Sequence, residues 1–293
     1  MRFLIHAARA CCISICTILA LFLSNSPAQV IRPSGASSPD SSLQYAFWSR
    51  YNLSKVGSVG LVGGSFAYAA GVWWVNDFRS FHLDPSRWWD ADMGVDKEGH
   101  FFTCYFMFRA INDILLWGGH DSTSAFWWSL GVAGLYGPAI EIGDGFSPYG
   151  FDIKDVTFDL LGVAFAALQN RVRFLHNIEL KWSLYYPLNR HAFKINELYD
   201  YHVYWMSARV HNFLPDALSD LWPEFLQMSF GVGTMNHQQR TYLLAFDYNL
   251  EKIPVDGQDV NLLKKLLNMI HLPAPGVKFT KGHSPEWSLL LLH

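Results

Sequence analysis

Acidic, basic and histidine side chains gather at the start of one apolar segment in the middle of the chain. Asp96, Lys97 and His100 stand there, and the four-residue spacing of Asp96 and His100 puts both on one face of a helix. A carboxylate beside an imidazole can transfer a proton or bind a cation. The same pair is also typical of a plain helix start with a hydrogen-bonded histidine, so the spacing alone leaves both interpretations open.

A second group of carboxylates separates two later apolar segments. Residues 141–155 contain Glu141, Asp144, Asp152 and Asp155, together with glycines and a Ser-Pro turn. Carboxylates next to apolar segments must be paired, protonated or bound to a ligand, because an isolated buried charge is very costly. The stretch therefore marks a candidate site rather than a simple connection.

The apolar segment that follows has its polar residues on a single stripe. Asp155, Asp159, Gly162, Ala166 and Gln169 recur at spacings of four and three, which are helical spacings. A charged stripe on an otherwise apolar helix is expected to face the protein interior. The alternative is a hydrogen-bonded cluster that only fixes the position of the helix.

These positions predict one buried polar site formed by several helices. We expect His100, Glu141, Asp155 and Asp159 to converge there, because none of their helices can leave a charge in an apolar environment. At least one carboxyl group should then have a raised pKa, unless a metal or a basic partner compensates its charge. The predicted cluster consists of Asp96, Lys97, His100, Glu141, Asp144, Ser147, Asp155 and Asp159.

Four apolar segments must position this site. The first, from Gly57 to Val75, contains no charged residue and is close to the length of a membrane span. The others cover roughly residues 99–117, 124–142 and 156–168, and their length and periodicity indicate helices. The predicted fold class is therefore mainly α. We expect a compact bundle of about four apolar, membrane-like helices over residues 45–175.

The remaining residues, 176–293, predict a mixed α+β region packed on that bundle. Strict alternation of apolar and polar residues from Thr241 to Glu251 indicates a strand. An apolar face between Val260 and Ile270 indicates an amphipathic helix. Residues 277–279 and 287–292 are expected to pair as a hairpin. We thus expect only a few antiparallel strands, fewer than the eight of the smallest outer-membrane barrels.

The N-terminal residues 1–28 have the three parts of a secretory signal peptide. A cationic start precedes an apolar run from Ala10 to Leu23, and the small residues Ser26 and Ala28 mark the expected cleavage site. An uncleaved membrane anchor is the alternative, but the run is shorter than the ~20 residues of a span. The Ser- and Pro-rich residues 29–44 then form a flexible leader.

The cysteines and the composition limit the function further. Cys11, Cys12 and Cys16 lie at the start of the apolar run or within it, so no lipid anchor is expected after it. Removal of the signal leaves Cys104 alone, which excludes an internal disulfide and cysteine-based metal sites. Aromatic and charged residues each make up 16% of the chain, and so few charges suit a lipid environment. No basic run indicates nucleic-acid binding.

The polar motifs also carry a family resemblance. The run from Met93 to Tyr105, with Asp-Lys-Glu-Gly-His, and the stretch from Glu141 to Gly162 resemble the YfiM-like family of predicted periplasmic lipoproteins, a domain of unknown function. The resemblance extends from about Trp73 to the C-terminus. The helix motifs are also similar to the VanZ-like membrane family. The resemblance implies an exported, membrane-associated protein of the bacterial cell envelope, with inner and outer membrane both open.

Two functions fit these observations. The first is a non-enzymatic role in which the cluster binds a membrane lipid or glycolipid headgroup, or an envelope protein partner. The second is a hydrolase or transferase that acts on an envelope lipid, with Glu141 or Asp155 as base and His100 as acid, either without a metal or around a divalent metal held by the carboxylates. The binding role is favoured because an acid-rich site repels phosphate. No spacing is diagnostic of a metal, and no metal or other cofactor is predicted.

Overall fold

The computed structural model describes residues 49–74, 78–89, 91–185 and 198–291. The predicted signal peptide, residues 1–28, and the predicted leader, residues 29–44, lie outside the described residues.

Helices form most of the first half of the described chain. Their bounds are α1 Arg50–Ala69, continued by a π-helical segment Ala70–Trp74, then α2 Val95–Trp117, α3 Ser122–Asp144, α4 Ile153–Arg171, a short α5 Asp216–Ser219 and α6 Gln258–Leu267. Side-chain caps fix three of the starts. Ser49, Asp121 and Asp152 each accept a hydrogen bond from a backbone N–H in the first turn of α1, α3 and α4.

The second half forms a single antiparallel sheet. Its strands are β1 Ile178–Leu184, β2 His202–Ala208, β3 Leu226–Met235, β4 Gln239–Tyr248, β5 Ala274–Thr280 and β6 Glu286–Leu291. They are neighbours in sequence order from β1 to β6. The free edge of β1 also meets the segment before β5, where Trp182 forms a parallel bridge with Ile270. The sheet is therefore curled, with an inner and an outer face.

The predicted fold class, a mainly α bundle of about four apolar, membrane-like helices with a few strands, is wrong. Among the described residues, one helical stretch, Arg50–Trp74, is long and apolar enough to cross a membrane by length and composition. Helices α2, α3 and α4 instead pack against one another, and the C-terminal region is a six-stranded sheet. Helices α2 and α4 carry buried charged residues, among them Lys97, Asp155 and Asp159, which face the protein interior rather than lipid.

Helix α2 lies at the centre of the helical layer and contacts α1, α3 and α4. Its buried face includes Cys104 and Phe108, which pack with Ala133 of α3 and Ala166 of α4. A Cβ at Gly162 would overlap the carbonyl oxygen of Phe101. Glycine at this position therefore allows the backbones of α2 and α4 to approach closely, which places the polar stripe of α4 against the first turns of α2.

Candidate functional site

Three helices bring the predicted polar residues together. Asp96, Lys97 and His100 lie in the first two turns of α2, while Glu141 lies near the end of α3. Helix α4 contributes its polar stripe from the other side. The side chains of Asp155 and Asp159 on this stripe border the same cavity as those of Asp96, Lys97, His100 and Glu141.

Lys97 is the cation at the centre of the carboxylates. Its ammonium lies 2.9 Å from Asp96 Oδ2 and 3.1 Å from Asp152 Oδ2, and it also forms an ion pair with Asp155. Burial lowers the pKa of Lys97, but the charges of Asp96 and Asp155 outweigh burial and raise the pKa above its ordinary value. Lys97 therefore stays charged and neutralises part of the cluster.

His100 contacts carboxylates through both ring nitrogens. Nδ1 lies 3.2 Å from Asp159 Oδ1 and 3.7 Å from Glu141 Oε1, while Nε2 lies 3.6 Å from Asp155 Oδ2 and 3.8 Å from Asp96 Oδ1. Burial lowers the pKa of His100, but the charge of Asp159 and its neighbours raises it well above the ordinary value. The imidazole is thus protonated at neutral pH.

Glu141 is the most strongly perturbed acid of the cluster. Its side chain is buried, and Oε2 accepts a hydrogen bond of 3.1 Å from the backbone N–H of Asp152. Burial raises the pKa of Glu141 to about 9, although the charge of His100 lowers it. At neutral pH Glu141 therefore carries a proton. Burial also raises the pKa of Asp155 to about 6, against the effect of His100 and Lys97.

Asp159 has one satisfied and one unsatisfied carboxylate oxygen. Oδ1 accepts from Cys104 Sγ at 3.3 Å and faces His100, whereas Oδ2 is buried with no hydrogen-bond partner among the described residues. The pKa of the Cys104 thiol is raised by burial and by the charge of Asp159. Cys104 therefore acts as a hydrogen-bond donor rather than as a thiolate nucleophile.

Asp144 and Ser147 stand at the edge of the cluster. Asp144 lines the same cavity and accepts a hydrogen bond of 2.8 Å from Trp74 Nε1, and burial raises its pKa to about 6. The hydroxyl of Ser147 instead donates to the backbone carbonyl of Asp144 at 2.9 Å. Ser147 closes the turn after α3 and does not contact the other members.

Two further residues, Asp152 and Tyr199, belong to the site but were not part of the predicted cluster. Asp152 accepts from Lys97 and lies 3.2 Å from the ammonium of Lys154. Its place at the start of α4 is a signal that could have identified it. Tyr199 donates a hydrogen bond to Asp96. No local sequence pattern connects Tyr199 to Asp96, because the two are 103 residues apart.

One cavity of about 1100 Å³ joins the polar cluster to an apolar groove. The groove follows α2 from Asp96 to Ile114, a distance of roughly 27 Å at the helical rise per residue. Ligand sites typically have volumes of about 300–1,000 Å³, so the space is large for a small molecule. The groove is lined by Leu61, Phe102, Phe106, Ala110, Ile114, Trp182, Leu266, Leu267, Met269 and Ile270.

The cluster contains two groups of side chains that fit a metal ion. Asp96, His100 and Asp155 form one, and His100, Glu141 and Asp159 form the other, each with ligand atoms within 4.8 Å of one another. Carboxylate and imidazole ligands suit Mn²⁺ or Zn²⁺. The second group is the better fit, because Lys97 already neutralises two carboxylates of the first group.

A second buried polar cluster lies inside the curled sheet. The hydroxyl of Ser229 is 2.9 Å from Nε2 of His271, and Asp247 Oδ1 is 3.9 Å from the same nitrogen. In a catalytic triad the acid would contact the other ring nitrogen. All three side chains are buried, so a substrate has no access. This cluster therefore supports the sheet rather than chemistry.

Part of the chain resembles a known protein family. Residues 88–171 match the family model described as "Predicted periplasmic lipoprotein (DUF2279)", and this span includes helices α2, α3 and α4. The resemblance to that family is confirmed for these residues, and with it the exported, envelope-associated location. The VanZ-like similarity stays a prediction. No curated protein and no solved structure matches the chain.

Proposed function

We propose that this envelope protein binds an amphiphile, a membrane lipid or glycolipid, with its headgroup in the polar cluster and its hydrocarbon chain in the groove. The observation that carries the proposal is the single cavity that joins the two regions. A site for a fully polar ligand would not need an apolar groove along α2, and a site for hydrocarbon alone would not bury charges at one end.

The charge of the cluster selects the headgroup chemistry. Acids outnumber bases, and the unsatisfied Oδ2 of Asp159 is a free hydrogen-bond acceptor. Such a site favours groups that donate hydrogen bonds, namely an amine or sugar hydroxyls, over a bare phosphate. The acids are Asp96, Glu141, Asp144, Asp152, Asp155 and Asp159, and the bases are Lys97, Lys154 and His100.

The groove has the length that one hydrocarbon chain needs. A bilayer core is about 30 Å thick, so the chains of one leaflet span roughly 15 Å, which is less than the length of the groove along α2. Its walls are aliphatic and aromatic side chains from α1, α2, β1, α6 and the segment after α6. The length of the ligand's hydrocarbon chain, rather than a polar contact, would then determine which amphiphiles bind in the groove.

Lipid analysis of the purified full chain tests the proposal. We expect detergent-purified protein to contain about one equivalent of an amphiphile, identified by mass spectrometry of its extract. Thr103 lines the cavity one turn after His100, so Thr103→Trp should narrow the groove and remove the amphiphile. Thr157→Trp on α4 is the matched control, because Thr157 is partly exposed and does not line the cavity. Equal lipid content in both variants would contradict the proposal.

A second candidate is a hydrolase or transferase that acts on an envelope lipid. The two His-carboxylate groups favour it, because they would place a divalent cation beside the headgroup. In that function Asp155 is the better base, since Glu141 is protonated at neutral pH. His100 would act as the acid only in a site without the cation, because the ring nitrogen that would bind a cation has no proton to donate. A stoichiometric metal in the purified protein, together with turnover of the bound lipid, would favour this function over binding alone.

A further inference from the structure

The curled sheet has its charged side chains on the inner face. Lys181 on β1 and Asp247 on β4 are fully buried and form an ion pair of 2.7 Å. Glu179 is also buried there and pairs with Arg209. The same face also carries an apolar cluster, because Val203, Trp205, Leu243 and Ala245 are buried there. A sheet with one face in water normally keeps its charged residues on the outside, so the buried ion pairs depart from that pattern.

The outer face of the same strands is apolar and exposed. Met206, Phe230 and Leu244 are direct neighbours across β2, β3 and β4, and each is more than 40% exposed. Tyr242 and Phe246 flank Leu244 on the same face and are exposed as well. Among the outward-facing residues of β4, Arg240 is charged, and its guanidinium pairs with Glu98 at the polar end of α2.

Helix α2 covers only the first strands of this face. Gly99 and Phe102 contact Tyr204 on β2, with ring centroids of Phe102 and Tyr204 5.8 Å apart. Beyond this contact Phe230 and Leu244 remain exposed. The exposed apolar face of β3 and β4 thus begins next to the contact between α2 and β2.

Other elements also present large apolar side chains outward, which distinguishes lipid from a partner protein. Trp287 and Leu289 on β6 are about 80% exposed, and Trp127 on α3 and Leu168 on α4 are more than half exposed. A protein partner or a second copy covers one contiguous patch. A hydrocarbon layer contacts outward side chains on several elements at once, as on lipid-facing strands with polar interiors.

We propose that the outer face of β2, β3 and β4 lies in the hydrocarbon layer of a lipid membrane. The exposed apolar outer face, opposite an inner face that buries ion pairs, is the observation that carries this inference, and it does not depend on a ligand in the cavity. The curled sheet keeps its ion pairs inside, away from lipid, while its aromatic and aliphatic side chains contact acyl chains. Membrane contact then involves the sheet as well as α1.

Site-specific fluorescence quenching tests the proposal on the full chain. A thiol-reactive fluorophore is attached at Phe230→Cys or Leu244→Cys, one variant at a time, in protein reconstituted into phosphatidylcholine vesicles. Cys11, Cys12 and Cys16 are replaced by serine in every variant, and the native Cys104 is buried and does not compete for the label. Leu221→Cys is the control, because Leu221 is a 78% exposed apolar residue outside the sheet. Each label is exposed to lipid with brominated acyl chains and, separately, to aqueous iodide.

The expected result is strong quenching by brominated lipid and weak quenching by iodide at positions 230 and 244. The control at 221 should be quenched more by iodide than the two sheet positions are. Quenching of 230 and 244 by iodide alone would overturn the proposal in favour of water. Protection from both quenchers would overturn it in favour of a protein partner or a second copy. Met206→Cys, in the same row, replaces either variant if its circular dichroism shows misfolding.

Discussion

The carboxylate of Asp159 on α4 lies directly over the bare Cα of Gly137 on α3. A Cβ at position 137 would overlap both Cγ and Oδ2 of Asp159. The polar stripe of α4 therefore reaches the cluster only because α3 has a glycine at the point of contact. This packing holds Asp159 against His100 and Cys104.

Substitution of Gly137 by alanine should displace Asp159. We expect Gly137→Ala to lower the free energy of unfolding by about 1–3 kcal/mol, the usual cost of overpacking, and to reduce amphiphile binding. Gly131→Ala on the same helix is the control, because no atom lies within 4 Å of a Cβ there; it should be neutral or stabilising by up to ~1 kcal/mol. Chemical unfolding in detergent measures both, and equal effects would contradict the packing argument.

Glu141 should make the stability of the protein fall as pH rises. Burial raises its pKa from 4.5 to about 9, so the folded state binds the proton more tightly than the unfolded state. Its contribution is present in full below pH 4.5 and is lost as pH rises through 9. Glu141→Gln cannot ionise, so its stability relative to the native chain should increase with pH, by at most about 1.4 kcal/mol per pH unit.

The measurement is the free energy of unfolding of both proteins from pH 5 to pH 9. Glu286→Gln is the control, because Glu286 is an exposed residue of a surface ion pair and its variant should follow the native pH dependence. A pH-independent difference between Glu141→Gln and the native chain would mean that Glu141 is ionised when folded. A cation bound by His100, Glu141 and Asp159 would produce that result.

The residues of the site could be predicted because they are polar residues on helices that are otherwise apolar. His100, Glu141, Asp155 and Asp159 interrupt segments that have little else that is polar, and helical spacing assigns them to faces that must meet. Tyr199 could not be predicted in this way, since its contact with Asp96 depends on how the sheet packs against α2. Whether the cluster binds a ligand stays a prediction.

The sheet was harder to predict than the helices. The alternation from Thr241 to Glu251 predicts β4, and the expected hairpin corresponds to the paired strands β5 and β6. β1 has an equally regular alternation in residues 178–184. β3 is obscured by Gly231 and Gly233, which carry no side chain and stand against Trp205 and Val203 of the neighbouring strand. Alternation alone also cannot tell which face is buried, and here the charged face is inside.

Lys97 should be essential to the stability of the cluster at neutral pH. Lys97→Met removes the cation shared by Asp96, Asp152 and Asp155 and leaves these carboxylates without their charge partner, which costs about 3–5 kcal/mol for a broken buried pair. The loss should shrink as pH falls towards 4, because the carboxylates then take up protons. Unfolding curves at pH 7 and pH 4.5 measure this difference.

The control for Lys97 is a lysine in an exposed ion pair. Lys252 pairs with Glu224, and both side chains are more than 40% exposed. Lys252→Met should change the free energy of unfolding by no more than about 1 kcal/mol. If Lys97→Met has an equally small effect at pH 7, the carboxylates are neutralised by something other than Lys97, and the charge assignment of the cluster is wrong.

The ion pair inside the sheet gives a final prediction that separates charge from packing. Lys181 contacts Asp247 at 2.7 Å and donates to the carbonyl of Tyr248 at 2.8 Å. Lys181→Met should lower the free energy of unfolding by about 3–5 kcal/mol, because Asp247 then stays buried as an unpaired charge.

The double variant Lys181→Met with Asp247→Asn removes both charges with little change in shape. It should be more stable than Lys181→Met alone, and the double-mutant cycle should show strong coupling. Additive losses would mean that the two residues support the sheet independently, and the inner face would then owe its stability to packing rather than to this pair.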